Sequence, residues 1–258
     1  MGITESLYDY VLNTGNPALH PDRLHRCARL WARCFWGKQY PDHQVSDDME
    51  NYRALELLHV GFTLRYRTLK LLTDGAPSDR EVEGLFKELM SIHDVRTPLD
   101  QPPTIANPSQ RYSDLFLTAK FSGPASTRRT LNTINMGVAT FYAQLLFHRR
   151  LLRPHQPPAT VHRHALTNII EITHKQYASD PQLLRRLHWP VVMAVIETDD
   201  PVQRDWLRLR LLELRDYHAE YRWANDIAEE VLARQDASQG EYANLAELLR
   251  DSTRAKAP

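Results

Sequence analysis

Two Glu-x-x-His motifs, Glu56 with His59 and Glu171 with His174, have the spacing that holds a di-iron carboxylate centre inside a helical bundle. Ligands of that kind must project inward, and a helical wheel tests whether these do. Around the first motif Leu55, Leu58, Phe62 and Leu69 define the buried side, and Glu56 and His59 fall with Thr63, Arg67 and Lys70 on the polar side. Around the second, Val161, Ala165, Leu166, Ile169 and Ile172 face inward, and Glu171 and His174 face away. The wheel predicts two solvated faces rather than a metal centre. His162 and His164 are two residues apart and do not share a helix face; His162 falls within the apolar arc. No Cys/His spacing matches a zinc site. The sequence has no Gly-x-Ser-x-Gly elbow, no Gly-rich phosphate loop and no dinucleotide fingerprint. These motifs lead us to expect no catalytic residue, no metal and no cofactor.

What remains is a set of polar residues inside an apolar segment. From Thr130 to Leu152 the apolar residues point in every direction: Leu131, Val138 and Leu145 share one face, and Met136, Phe147 and Leu151 lie on others. A helix apolar all round is a buried, central one. It also carries Asn132, Asn135, Thr140 and Gln144. Buried polar groups need partners, because each left unsatisfied costs about 1–3 kcal/mol. Two readings follow. These groups are a hydrogen-bonded polar core, or they are the specificity groups of a pocket for an apolar small molecule, with His162 as its titratable member. The basic pairs Arg128–Arg129, Arg149–Arg150 and Arg185–Arg186 read as solvated faces or helix-end charges. Arg65 lies on the apolar side of its helix, which predicts snorkelling or a buried acid partner.

The elements that must position these residues are helices. Leu24, Cys27, Ala28, Trp31 and Phe35 follow helical spacing, and Ser46 is placed to cap a long helix ending near Leu72. Ser78 and Glu81 form a capping box ahead of the stripe Val82, Leu85, Phe86 and Leu89. Prolines make a loop of the stretch from Asp94 to Ser109 and a second break from Arg153 to Thr160. Asp200 followed by Pro201 starts another helix. Neither loop marks a domain boundary and no repeat period appears. The expected fold is therefore all-α: one domain over residues 1–258, an irregular bundle of about ten helices around a buried central helix.

Composition narrows the function classes. Thirty-two basic residues balance thirty-two acidic ones, which gives no field to gather phosphates and argues against direct nucleic-acid contact. A hydrophobic fraction of 42% and a charged fraction of 25% are those of a globular chain. Cys27 and Cys34, roughly 10 Å apart along a helix, are too distant for a disulfide and read as reduced thiols of an intracellular protein. No secretory signal and no membrane-length apolar run is present.

From Leu183 to Ser252 the sequence carries more specific marks. They are His188-Trp189-Pro190, the helix Val191 to Ile196, then Glu197-Thr198-Asp199-Asp200-Pro201 with Arg204, Asp205 and Trp206, and later Arg234-Gln235 before a polar turn and a last helix. This stretch resembles the C-terminal part of the fungal-specific regulatory domain found downstream of the zinc binuclear cluster in fungal transcription factors. ALELLHVGFTLRYRTLKLL and FYAQLLFHRRLL resemble its earlier helices more loosely. The family's DNA-binding unit needs half a dozen clustered cysteines, and this sequence has two. The resemblance implies an all-α fold, a nuclear setting and control of transcription, with secondary metabolism as one context. Action would come through an apolar ligand, a protein partner or a second copy. Trp189, Pro190 and Trp206 are expected to anchor two packed helices. The rival expectation is a pocket enzyme of isomerase or cyclase type acting on an apolar fungal metabolite.

Overall fold

Helix-forming sequence runs between proline and capping signals throughout, and the computed structural model is built accordingly. It describes residues 42–73, 77–93, 112–123, 129–237 and 244–248. Within them lie α1 (Asp42–Thr73), α2 (Asp79–His93), α3 (Ser113–Phe121), α4 (Arg129–Leu152), α5 (Thr160–Ser179), a 3-10 segment (Pro181–Leu187), α6 (His188–Glu197), α7 (Pro201–Leu214) and α8 (Ala219–Ala237). The described residues thus hold nine helical elements, where about ten were expected, and no strand. The all-α expectation is met. The stripe from Leu24 to Phe35, the two cysteines and the loop from Asp94 to Ser109 lie outside the described residues.

Local signals account for the helix ends. Ser78 and Glu81 close the capping box: the Ser78 backbone N–H donates to Glu81 Oε2 at 2.9 Å and the Glu81 N–H donates to Ser78 Oγ at 3.4 Å. Asp200 Oδ1 accepts from the N–H groups of Val202 and Gln203 at 2.9 and 3.2 Å, with Pro201 in the first turn where no donor is needed. α1 begins at Asp42, so Ser46 lies within the helix and not at its cap; no breaker separates Asp42 from Ser46. α3 is a further helix that the periodicity did not mark.

The central helix is α4. It packs against α1, α2, α3, α5, α6 and the 3-10 segment, and every residue from Thr133 to Leu151 is buried. Its closest neighbour is α1, and the contact is made by small residues. A Cβ placed on Gly137 would sit 2.9 Å from the Ala54 carbonyl oxygen, and one on Gly61 would sit 3.4 Å from Thr140 Cγ2. This close approach decides which side of α1 is inward. Of the expected inward residues Phe62 is buried but Leu55, Leu58 and Leu69 are only half-buried, and Ala54, Leu57, Gly61, Leu64 and Thr68 form the side that meets α4. The wheel weighted large apolar residues; the observed face is the one whose small residues let two backbones meet.

Candidate functional site

The five candidate pocket residues belong to two environments. Thr140 and Gln144 lie on the α1 side of α4. Gln144 Nε2 donates to Thr68 Oγ1 at 2.9 Å, and Thr68 Oγ1 donates to the Leu64 carbonyl at 2.8 Å. Asn135 is 3% exposed, and its Oδ1, like Asn132 Oδ1 and Gln144 Oε1, is buried with no hydrogen-bond donor. His162 lies elsewhere, at the start of α5. Its Nδ1 accepts from the Ala159 backbone N–H at 3.1 Å, so the imidazole caps its own helix. None of the five lines either of two openings in the structure. One is a gap of about 10 Å³ among Trp189, Met193, Ile196, Trp223 and Leu245. The other is an open groove of about 690 Å³ between the first turn of α2 and the α4–α5 connection, bordered by Asp79, Arg80, Glu83, Arg153 and His155.

Under that groove is a cluster that sequence reasoning missed. Phe86 of α2 stacks on His148 of α4 and on His162 of α5, with ring centroids 5.8 and 6.0 Å away. Arg153 Nη2 donates to Glu83 Oε2 at 2.6 Å, and its guanidinium lies 5.8 Å from the Phe86 ring centroid. Burial pushes both imidazoles down to about 4, with Arg153 adding to the effect. A hydrogen bond to the Val82 backbone partly opposes the shift at His148. Both rings are therefore neutral near pH 7 and are weak proton acceptors.

The basic pair Arg149–Arg150 is corrected most sharply. The two side chains are 2% and 0% exposed, neither solvated nor at a helix surface. Arg149 pairs with Glu197 of α6 and donates to the Gln156 carbonyl at 3.1 Å, and Arg150 Nε lies 3.6 Å from Glu197 Oε1. Burial pushes the Glu197 carboxyl up from the usual carboxylate range, and the two guanidiniums oppose that shift. The signal for this cluster was present: both arginines sit inside a helix already read as buried on all sides. Arg185 is half-buried, with its guanidinium 3.6 Å from the Tyr217 ring centroid, and Arg186 is exposed. Arg65 stacks over Trp189 at 4.0 Å from the ring centroid, a cation–π contact that neither expectation for it had named.

The Glu-x-x-His pairs do not converge. Glu171 and His174 are exposed, and Glu56 and His59 are half-buried rather than fully solvated. Among the described residues no group of three or more metal-ligating side chains comes together. No described helix is long and apolar enough to cross a membrane.

The C-terminal marks occupy structural positions. Pro190 lies in the first turn of α6, where Trp189 meets Phe147 edge-on at 5.0 Å. Arg204 donates to the Thr198 carbonyl through Nε and Nη2 at 3.1 and 2.6 Å, fixing the α6–α7 corner. Trp206 stacks on His174 of α5 at 3.8 Å. The two indoles anchor different helix pairs, Trp189 joining α6 to α4 and Trp206 joining α7 to α5. The family model described as fungal specific transcription factor domain matches residues 57–251. The chain belongs to that family. No curated protein and no solved structure matches the chain at a significant level. The fungal transcription factor domain match runs from within α1 past the helical turn at 245–248, so it takes in both the buried ion cluster and the α6–α7 corner.

Proposed function

We propose that the chain is a regulatory or effector domain of a fungal zinc-cluster-type transcription regulator. It works in the nucleus and acts by binding a partner rather than by contacting DNA itself. The family match over residues 57–251 carries this reading. The balanced charge of 32 basic and 32 acidic residues supports the second half of it. Between a small apolar ligand and a protein as the bound species, the packing of α4 favours the protein. Its 19 consecutive buried residues, Thr133 to Leu151, lie against α1, α2, α3, α5 and α6, and the polar candidates on it border neither opening. We take residues 1–258 as one domain for the same purpose.

The test is to tether the full chain to a heterologous DNA-binding unit in fungal cells carrying a reporter. Reporter output is expected to rise or fall against the unfused unit at equal nuclear abundance. An output equal to that of the unfused unit would refute the regulatory reading. Native mass spectrometry of the gently purified chain separates the two modes of binding. A clean apo mass agrees with protein binding, whereas a discrete small molecule carried through purification would make the domain a metabolite sensor.

A further inference from the structure

One side of α7 is used by the fold and the other is left open. Leu207, Leu211 and Leu214 are buried, and α7 packs on α6 and α8. On the opposite side Val202, Leu209 and Leu212 are 77%, 53% and 50% exposed. At about 100° per residue these three fall within an arc of roughly 80°. Beside them is the aromatic cluster of α5 and α7. Trp206 stacks on His174, Tyr177 meets Trp206 edge-on at 5.6 Å, and the Arg210 guanidinium lies 4.4 Å from the Tyr177 ring centroid. Tryptophan, tyrosine and arginine around exposed aliphatic groups is the composition of an interface centre.

The charges around this patch are unequal. Its cations are engaged: Arg210 is 14% exposed and pairs with Glu213, and Arg208 is held by both carboxylate oxygens of Glu229. Its acids outnumber them and reach further into solvent: the Asp205 side chain, 3.9 Å from Arg208, is 73% exposed, that of Glu213, paired with Arg210, is 49% exposed, and Glu171 on α5 is exposed as well. The result is an apolar stripe with an acidic rim. Val202 and Leu209 are seven residues apart, roughly 10 Å along the axis, which matches the i, i+7 spacing of a facing helix.

We propose that the α5–α7 face docks an amphipathic helix of a partner protein whose apolar stripe is flanked by lysine or arginine. The proposal rests on the reading that this domain acts by binding protein, and names the chemistry of the partner. A second copy presenting the same face would set one net-acidic rim against another, so the complementary charge must come from a different surface.

Fluorescence anisotropy of the full chain tests it with two labelled helical peptides of identical leucine pattern, one filled with lysine and one with glutamate. The lysine peptide is expected to bind at least tenfold more tightly. The double variant Val202→Gln, Leu209→Gln should weaken it at least tenfold, and Asp205→Arg should weaken it separately. All three positions are solvent-facing, so thermal unfolding should be unchanged. Equal binding by the double variant, or no binding of either peptide, would overturn the proposal. So would a dimer seen by light scattering that the double variant dissolves, because the occupant would then be a second copy. The tethered reporter keeps the two readings apart. A silent wild-type fusion refutes the regulatory reading and leaves the anisotropy result standing. An active wild-type fusion matched by the double variant overturns the docking face alone.

Discussion

Replacing Gly137 by alanine tests the close α1–α4 contact on which the central helix depends. The new Cβ would lie 2.9 Å from the Ala54 carbonyl oxygen and 3.8 Å from the Leu58 amide nitrogen. The first contact is too short, and it is to backbone, which has no rotamer to swing away. Either α1 or α4 must shift by several tenths of an ångström, and overpacking of that kind costs about 1–3 kcal/mol. The substitution also removes a mid-helix glycine, which by itself is worth about 0.5–1 kcal/mol. Gly84 separates the two effects. It lies within α2, is exposed, and a Cβ there meets nothing within 4 Å. Gly84→Ala should therefore show only the gain, and Gly137→Ala the gain minus the clash. The two variants are expected to differ by about 1–3 kcal/mol in urea unfolding followed by far-UV circular dichroism. In thermal unfolding that is roughly 3–10 °C for a chain of this size. A Gly137→Ala protein as stable as Gly84→Ala would show that α1 and α4 do not approach through these residues, and would undo the account of why Ala54 and Gly61 face inward.

The remaining predictions concern buried charge. Burial holds His148 and His188 at about 4 in the folded chain, against about 6.5 when unfolded. The folded protein thus binds fewer protons between those values. The stability tied to these neutral rings is complete above about pH 6.5 and is lost as pH falls from there toward 4, on the order of 3 kcal/mol for each. Urea midpoints should decline steadily over that interval, and His188→Gln should flatten the decline; a wild-type midpoint level from pH 7 to pH 4.5 contradicts the burial of both rings. Glu197→Gln removes the carboxylate shared by Arg149 and Arg150 and should cost about 3–5 kcal/mol. A loss below about 1 kcal/mol by urea unfolding would mean that the cluster is solvated.

Much of this architecture was legible, and each miss has a physical cause. Capping chemistry is local, so Ser78 with Glu81 and Asp200 with Pro201 could be placed from the sequence. The all-round apolarity of α4 identified it as central, because a helix with no polar face has nowhere else to go. α3 escaped because its nine residues, with Leu115, Phe116 and Ala119 buried, are too few to establish a period. The inward side of α1 was misjudged because close helix contact selects small residues and a hydrophobicity wheel selects large ones. Of the polar candidates on α4, Asn135, Thr140 and Gln144 are buried and Asn132 is half-buried, but a sequence cannot distinguish a side chain that lines space from one that fills it. Arg149 and Arg150 were assigned to a surface by residue type, against the evident burial of the helix that bears them. Where type and pattern conflict, the pattern was the better guide.

Several of the residues that carry the family resemblance join one helix to the next. Glu197 ties α6 to the end of α4, the Thr198 carbonyl receives Arg204 at the α6–α7 corner, Asp200 caps α7, and Trp189 seats α6 against α4. Residues so used specify a scaffold; their side chains are spent on its interior contacts and leave little to meet a partner. Whatever distinguishes one such domain from another must then reside on faces the scaffold does not consume. In this chain the outer side of α7 is such a face. Val202, Leu209 and Leu212 are half or more exposed there, and exposing three aliphatic side chains on one helix face gains the isolated domain nothing. Asp205, one residue before Trp206 in the same motif, points outward with them. A single short helix thus presents its scaffold residues on one side and its candidate recognition residues on the other.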